Sequence, residues 1–232
     1  MEALLRAEHL KKQFHRNTDG KYAVNDVSFA IMPGECLGLI GESGSGKSTI
    51  AGMIAGFKQA TEGKVYFEGK QILGKHVKKD SRKNMQIIFQ NPRSSLNPKM
   101  TIGQNLDDAL RYYAKISKTE RRMQCRTILE RVSLPTKYLD QYPDQISGGE
   151  CQRICIARAL LRHPSLLICD EATSALDVCV QKEIVELLQE VQREDHMALL
   201  FISHDLALVS NVCSRILVLS QGRIVKELGE HF

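Results

Sequence analysis

The segment Gly41–Thr49, which reads Gly-Glu-Ser-Gly-Ser-Gly-Lys-Ser-Thr, constrains the fold of this chain more than any other. It follows the apolar stretch Cys36–Ile40 and precedes the helix-like Ile50–Ala55. A strand, a glycine-rich loop and a helix in this order form the context that a phosphate-binding loop requires. Glycines let successive backbone N–H groups turn toward one anion, and the following helix directs its positive end to the same place. The segment therefore predicts a chain that binds a nucleoside triphosphate.

Two side chains of this loop suit a triphosphate and its magnesium ion. Lys47 brings an ammonium group to the β- and γ-phosphates, and the Ser48 hydroxyl can ligate Mg²⁺. The alternative is a tight turn rich in glycine and serine, which the strand before it and the helix after it disfavour. The predicted nucleotide-binding residues of the loop are Gly41, Glu42, Ser43, Gly44, Ser45, Gly46, Lys47, Ser48 and Thr49.

The composition narrows the class of protein. The chain has 232 residues, of which 43% are hydrophobic, enough for one substantial globular unit. No segment approaches the ~18 uncharged apolar residues of a membrane span, and Met1–Arg6 lacks a signal-peptide layout, so we expect a cytosolic protein that can dock on a membrane partner. The basic residues Lys75, Lys78, Lys79, Arg82 and Lys83 have no aromatic residues among them, which favours a solvated loop over nucleic-acid binding. The cysteines form no Cys-x-x-Cys pair, and Cys36, Cys155 and Cys169 lie in apolar runs typical of buried residues.

Strand-like and helix-like segments alternate along the chain. Apolar or alternating runs predict strands at Val27–Ile31, Val65–Phe67, Met85–Phe89, Leu166–Cys169 and Ala198–Ile202. Helical spacing predicts helices at Asn105–Ala114 and Glu120–Val132, and a crossover helix with one apolar stripe of Ile184, Leu187, Leu188 and Val191. Asn91–Pro98 has two prolines and several turn formers, so no regular structure is expected there. The pattern predicts a single domain with an α/β core of residues 1–90 and 163–232 and a helical subdomain of residues 91–162.

Two carboxylates follow the strand-like run Leu166–Cys169. In a parallel sheet the carboxyl ends of the strands face the ligand crevice, so Asp170 and Glu171 should emerge beside the phosphates. Asp170 then suits Mg²⁺, and Glu171 can orient or deprotonate a water that attacks the γ-phosphorus. The alternative is a strand that turns polar where it meets solvent; the phosphate-binding loop favours the catalytic interpretation.

The residues Ser147, Gly148, Gly149 and Glu150 precede a long helical run. They fit a capping box in which Ser147 is the N-cap and Glu150 is the third helical residue. A purely structural cap does not explain two glycines, because each costs ~1 kcal/mol relative to alanine inside a helix. Glycines allow close backbone approach, and a helix N-terminus favours an anion. We therefore predict a second phosphate-contacting element.

Four further residues carry weaker signals. His204 follows a strand where its side chain can reach the γ-phosphate, and Gln90 ends a strand where it can contact Mg²⁺ or the attacking water. Phe14 and Tyr22 precede the phosphate-binding loop, and either can stack on adenine. For each of the four, the alternative is an ordinary capping, surface or packing role.

Together these segments resemble the nucleotide-binding subunit of an ABC transporter over essentially the whole chain. Gly41–Thr49 matches the Walker A loop of that family, Gln90 its Q-loop glutamine, Leu166–Glu171 its Walker B strand with the catalytic glutamate, and His204 its switch histidine. Ser174–Asp177 matches the D-loop, and Ile146–Glu150 resembles the signature, usually Leu-Ser-Gly-Gly-Gln. The resemblance implies an α/β fold with a mainly parallel core sheet, an antiparallel β subdomain and a helical subdomain.

The same resemblance implies an ATP hydrolase with ATP and Mg²⁺ as ligands. Catalytic roles fall to Glu171, His204 and Gln90, metal ligation to Ser48, Gln90 and Asp170, and further nucleotide contacts to Ser147, Gly148, Gly149, Glu150 and Asp177. Glu150 departs from the commoner glutamine, which the helix dipole and the capping box tolerate. For adenine, Phe14 aligns best, and Tyr22 stays possible because His15–Lys21 looks inserted.

Within the family, Gln90–Pro98 closely resembles the ATPases of oligopeptide, dipeptide and nickel importers. This resemblance implies a head-to-tail dimer, formed with a second copy or with a related ATPase, in which the two chains sandwich two ATP molecules. It also implies two integral-membrane permease subunits, an extracytoplasmic substrate-binding protein and a peripheral location on the cytoplasmic face of the membrane. These subunits usually continue into a carboxyl-terminal extension with a His-Pro-Tyr-like motif, which is not found in the sequence up to Phe232.

Three alternatives compete with this interpretation. A soluble ABC-type ATPase not coupled to a permease would typically carry two such cassettes or long heptad arms. A GTP-binding switch would read guanine with an Asn-Lys-x-Asp sequence, which is absent from the chain. A binding module with a decayed site would lack catalytic residues, whereas every expected catalytic position is occupied.

Overall fold

The computed structural model describes residues 2–14, 21–74, 79–111 and 116–229. These residues form two compact units. The first unit consists of the described residues within 1–87, 165–171 and 192–232, and the second of those within 88–164 and 172–191. The division expected from the sequence, with residues 91–162 as the helical subdomain, stays a prediction.

A six-stranded sheet forms the centre of the first unit, in the order β10-β9-β3-β8-β7-β6. Its strands are β3 (Cys36–Ile40), β6 (Met85–Ile88), β7 (Leu166–Asp170), β8 (Ala198–Ser203), β9 (Arg215–Ser220) and β10 (Arg223–Leu228). Strand β8 pairs in parallel with β3 and β7, and β3 pairs in parallel with β9. Strands β3, β7 and β8 are buried along their whole length, which explains their continuous apolar runs. The carboxyl ends of these strands therefore lie at one edge of the sheet.

An antiparallel sheet of four strands completes the first unit, in the order β2-β1-β4-β5. Its strands are β1 (Leu5–Gln13), β2 (Tyr22–Ile31), β4 (Glu62–Phe67) and β5 (Lys70–Gln71). The helix α1 (Lys47–Ala55) shares one apolar core with both sheets, in which Leu37, Ile50 and Phe67 are almost fully buried. Burying a side chain of this size stabilises the fold by about 1.5–3 kcal/mol. This core holds the loop before α1 against the parallel sheet. The two sheets confirm the expected α/β fold class with a mainly parallel core sheet and an antiparallel β subdomain.

The second unit is helical. Its helices are α2 (Pro92–Ser95), α3 (Ile102–Arg111), α4 (Lys118–Arg131), α5 (Gly148–Leu160) and most of α6 (Val178–Asp195), with 3-10 turns at Thr136–Asp140 and Pro143–Gln145. The apolar stripe Ile184, Leu187, Leu188 and Val191 is buried on α6, as predicted. The remaining helix, α7 (Leu206–Val212), belongs to the first unit. Predicted helix residues 112–115, the predicted loop residues Lys75 and Lys78, and most of the inserted segment His15–Lys21 lie outside the described residues.

The prediction of no regular structure in Asn91–Pro98 was wrong for Pro92–Ser95, which forms the single helical turn α2. The Asn91 side chain accepts a hydrogen bond from the Ser94 amide at 3.3 Å and caps the turn. Pro92 occupies the first turn, where its missing N–H costs no helical hydrogen bond. The same residue types that break longer helices therefore start this short one.

Cys36, Cys155 and Cys169 are buried as predicted, and all seven cysteines carry free thiols. Within the described ranges, no helix combines the length and the apolar composition needed to cross a membrane.

Candidate functional site

The loop between β3 and α1 has a backbone that only glycine adopts easily. Gly46 is the N-cap of α1 with φ 111°, and a Cβ added there would lie 2.3 Å from the Ala23 carbonyl oxygen. Gly44 also has a positive φ, 81°, but a Cβ there would meet nothing within 4 Å. The loop is therefore packed on one side at Gly46 and open at Gly44, and the positive end of α1 adjoins it. This shape fits a phosphate group.

Lys47 is buried and held by the loop itself. Its Nζ donates to the Gly41 carbonyl at 2.7 Å and to the Glu42 carbonyl at 2.9 Å. An ammonium group has three N–H donors, so one is left to bind an anion from a fixed position. Within the same loop, the buried Ser45 Oγ has no hydrogen-bond partner among the described residues. A ligand oxygen would satisfy that hydroxyl, which again fits a bound triphosphate.

Ser48 and Asp170 meet although they lie far apart in the sequence. Ser48 Oγ, in the first turn of α1, donates to Asp170 Oδ1 at 2.9 Å at the end of β7. Burial raises the pKa of Asp170, and the Ser48 hydrogen bond opposes that rise. Magnesium in phosphate sites uses one or two protein oxygens together with substrate phosphates. Among the residues that the structure describes, no group of three His, Cys, Asp or Glu side chains is placed to hold a metal ion. The Ser48–Asp170 pair thus fits Mg²⁺ bound jointly with a nucleotide.

Glu171 and His204 follow the neighbouring parallel strands β7 and β8. The Glu171 amide donates to the Ile202 carbonyl at 3.0 Å, and Glu171 Oε1 lies 4.0 Å from His204 Nδ1. Glu171 has φ 50°, a left-handed conformation that costs a non-glycine residue about 1–2 kcal/mol. Such strain is common where a side chain must be aimed at a reacting group. The structure thus places Glu171, which had a strong sequence signal, close to His204, which had a weak one.

The two candidates for adenine stacking lie at the same end of the paired strands β1 and β2. Phe14 directly follows β1, and Tyr22 starts β2 opposite Gln13. The Phe14 ring is 38% exposed, and the Lys12 and Lys58 ammonium groups lie 5.2 and 5.9 Å from its centroid. Tyr22 is half-buried. An exposed aromatic face suits base stacking, but the choice between the two rings stays a prediction.

In the second unit, the capping box at the start of α5 is confirmed. The Glu150 amide donates to Ser147 Oγ at 3.3 Å, and the Ser147 amide donates to Glu150 Oε2 at 2.7 Å. The two glycines differ in their surroundings. A Cβ on Gly149 would lie 2.6 Å from Val180 Cγ1 of α6, whereas a Cβ on Gly148 would meet only Leu176 Cδ2 at 3.8 Å. Close packing on α6 therefore explains Gly149, and Gly148 leaves the helix N-terminus accessible.

Gln90 lies beside Ser174 in the second unit, at the start of the segment that was predicted to match the D-loop. Gln90 Nε2 donates to Ser174 Oγ at 3.2 Å, and Asp177 Oδ1 accepts from the Val180 amide at 3.1 Å. A cavity of about 400 Å³ is lined by Gln90, Asn91, Pro92, Arg93, Gly148, Ala175 and Leu176. Arg93 Nη2 donates to the Ile146 carbonyl at 2.8 Å, just before Ser147. This link joins α2 to the start of α5.

Sequence reasoning missed two residues of this arrangement. Arg93 was considered only as part of the irregular, importer-like segment Gln90–Pro98 and was given no role of its own. Tyr138, whose hydroxyl donates to Glu150 Oε1, was not considered. Neither residue has a local sequence signal, because its hydrogen-bond partner lies more than a helical turn away along the chain.

Comparison with known proteins matches residues 24–174 to the family of the ABC transporter domain. The chain is 46% identical to the oligopeptide transport ATP-binding protein OppF of Salmonella typhimurium over 212 residues, which is 90% of this chain and 63% of that protein. It is 42% identical to OppF of Bacillus subtilis, covering 97% of this chain and 75% of that protein. The chain thus spans less than two thirds of the Salmonella protein.

Solved structures are similar to this chain along nearly its full length. A dimeric post-hydrolysis state of the ATP-binding cassette MJ0796, bound to ADP and Pi, superposes with a TM-score of 0.86 at 29% identity and covers 98% of this chain and 99% of that one. The structure of cbiO1 from Clostridium perfringens, part of the ABC transporter complex cbiONQ, has a TM-score of 0.86 at 27% identity, covering 99% of this chain and 90% of that one. Because the family model covers more than half of the chain, this chain belongs to the ABC transporter family.

Proposed function

We propose that this chain is the ATP-binding and ATP-hydrolysing subunit of an ABC importer. One observation carries the proposal: the loop Gly41–Thr49, the Ser48–Asp170 pair and the Glu171–His204 pair lie at the carboxyl ends of adjacent parallel strands. This is the edge of an α/β sheet at which ligands bind. The similarity to an ATP-binding cassette bound to ADP and Pi supports the same ligand class.

Most of the proposed chemistry belongs to residues of the first unit. The amides of the loop and Lys47 bind the phosphates, and Ser48 and Asp170 hold Mg²⁺, which when bound neutralises phosphate charge. Glu171 orients the attacking water and accepts its proton, and His204 lies beside Glu171 to position the γ-phosphate. Gln90 is proposed to contact the metal or the water. Phosphoryl transfer requires mostly positioning and charge stabilisation, so these few groups suffice.

We propose that hydrolysis takes place in a head-to-tail dimer. Ser147, Gly148 and Gly149 of a second copy, or of a related ATPase, would contact the γ-phosphate held by the loop of the first. The capped and accessible start of α5 supports this, because a helix N-terminus stabilises an anion. The dimeric state of MJ0796 supports it too. Loss of the γ-phosphate then removes the affinity for the closed state, and the two chains separate.

The proposed cargo is a peptide, delivered by an extracytoplasmic substrate-binding protein to two membrane permeases. The support is the 46% identity to the oligopeptide transport protein OppF; nickel and metal chelates, which the sequence left open, receive no support from the relatives named above. Gln90–Pro98 would contact the permeases, which places the chain at the cytoplasmic face of the membrane. The alternative of an ATPase uncoupled from a permease receives no support from these relatives either.

The variant Glu171→Gln tests the proposal. We expect a hydrolysis rate at least about 100-fold lower, because a general base contributes that much, with ATP affinity retained. The variant should also accumulate as an ATP-bound dimer in size-exclusion chromatography. Glu186→Gln, a surface change on α6, is the matched control and should hydrolyse ATP at the normal rate. Unchanged hydrolysis by Glu171→Gln would exclude Glu171 as the base.

A further inference from the structure

Both oxygens of the Glu150 carboxylate are engaged. Oε2 accepts from the Ser147 amide at 2.7 Å, and Oε1 accepts from the Tyr138 hydroxyl. Tyr138 lies in the 3-10 turn Thr136–Asp140 of the same unit, ahead of α5. The Lys137 ammonium lies 6.0 Å from the Tyr138 ring and attracts the Glu150 charge. The carboxylate is therefore fixed from two sides.

The protonation states agree with this geometry. The Tyr138 hydrogen bond is the largest cause that lowers the pKa of Glu150, and the backbone hydrogen bond from Ser147 acts in the same direction. The same bond to Glu150 raises the pKa of Tyr138. Glu150 is thus a stabilised anion, and Tyr138 is its protonated donor.

A negative charge at this position conflicts with the proposed ligand. Glu150 is the third residue of the helix whose N-terminus is proposed to meet the γ-phosphate of a second copy's ATP. Two negative charges repel each other, more strongly where water is excluded. A glutamine, usual at this position of the signature, would carry no such charge. Glu150 is compatible with the phosphate only if its carboxylate is kept away from it.

The hydrogen bonds also determine what Ser147 can offer to a ligand. Ser147 Oγ accepts from the Glu150 amide, which leaves its O–H proton available as a donor. The Ser147 amide is occupied by Glu150 Oε2, and this bond fixes the backbone of the N-cap. A carboxylate that swung toward solvent would break this bond and release the serine.

We propose that Tyr138 is a positioning residue: its hydroxyl holds the Glu150 carboxylate within the capping box, so that Glu150 orients Ser147 toward the phosphate without presenting its own charge. The inference rests on the proposed function, since it requires that Ser147 meet a nucleotide. The role belongs to the two side chains together. Without the Tyr138 hydroxyl the Glu150 carboxylate is not held, and without Glu150 there is no charge for Tyr138 to hold.

A double-mutant cycle on hydrolysis tests this role. Tyr138→Phe keeps the ring and removes the hydroxyl, so we expect kcat/KM for ATP to fall roughly 3- to 10-fold, a size within the range for coupled neighbours. The fall should appear mainly as a higher KM, because an unrestrained Glu150 charge repels the phosphate that Ser147 is proposed to contact. In a Glu150→Gln background the same substitution should change kcat/KM by less than about twofold, because no charge is left to restrain. Tyr66→Phe, which removes a tyrosine hydroxyl from β4 in the first unit and keeps the ring, is the matched control. Circular dichroism checks the fold of each variant.

Each other outcome overturns the proposal in a recognisable way. An equal loss in both backgrounds would mean that the Tyr138 hydroxyl serves packing or folding and not the Glu150 charge. No loss in either background would mean that Glu150 needs no restraint, provided that Ser147→Arg abolishes hydrolysis in the same assay. If Ser147→Arg also hydrolyses ATP normally, the proposed contact of α5 with the nucleotide is wrong, and the role of Tyr138 is refuted with it.

Discussion

Gly46→Ala should destabilise the protein more than Gly44→Ala, although both residues lie in one loop and both have a positive φ, 111° and 81°. A left-handed backbone costs alanine about 1–2 kcal/mol, so both variants should lose that amount. At Gly46 the new Cβ would also lie 2.3 Å from the Ala23 carbonyl oxygen, and relieving such overpacking adds about 1–3 kcal/mol. At Gly44 a Cβ meets nothing within 4 Å, so no second cost arises.

The expected losses in the free energy of unfolding are therefore about 2–5 kcal/mol for Gly46→Ala and about 1–2 kcal/mol for Gly44→Ala. Urea titration without nucleotide measures both. Because Gly46 is the N-cap of α1, its displacement would also move Lys47 and Ser48. Gly46→Ala should accordingly weaken ATP binding, measured by titration with a fluorescent ATP analogue.

Equal destabilisation by the two substitutions would refute this reasoning, because it would show that contact with the Ala23 carbonyl does not restrict the loop. A Gly46→Ala protein as stable as the parent would go further and contradict the backbone conformation itself. A variant that loses stability while binding ATP normally would separate the packing of Gly46 from the placement of Lys47.

Two further predictions concern the phosphate and adenine ends of the site. Burial raises the pKa of Asp170 in the folded chain, so the folded state binds its proton more tightly than the unfolded state, and stability falls as the pH rises from the ordinary carboxyl range through the raised value. Asp170→Asn removes this cost and keeps an acceptor for the Ser48 hydroxyl. We therefore expect the metal-free variant to be more stable than the parent at pH 7 in EDTA. A variant no more stable than the parent would contradict the cost assigned to the buried Asp170 charge. Phe14→Ala should weaken ATP binding by about 1–3 kcal/mol if its ring stacks on adenine, and Tyr22→Ala should do so if the other ring does. Titration of both variants decides, and parental affinity in both excludes stacking by either.

Features set by neighbouring residues were predictable from the sequence. The strand before Gly41–Thr49, the apolar stripe of α6 and the capping box of Ser147 with Glu150 all follow from spacings of at most a few residues. The error at Pro92–Ser95 is also local: the prolines were read as helix breakers, whereas Pro92 lies in the first turn, where proline is favoured.

Only the tertiary structure decided which distant residues meet. Ser48 and Asp170 are 122 positions apart and are joined because β7 reaches the sheet edge beside α1. Gly149 packs on Val180, so a residue read as a sign of ligand binding has a packing reason as well. Tyr138 reaches Glu150 through the turn before α5. The periodicity of apolar residues indicates which face of a helix or strand is buried. The contacts between elements depend on strand order and helix packing, and no short stretch of the chain determines those.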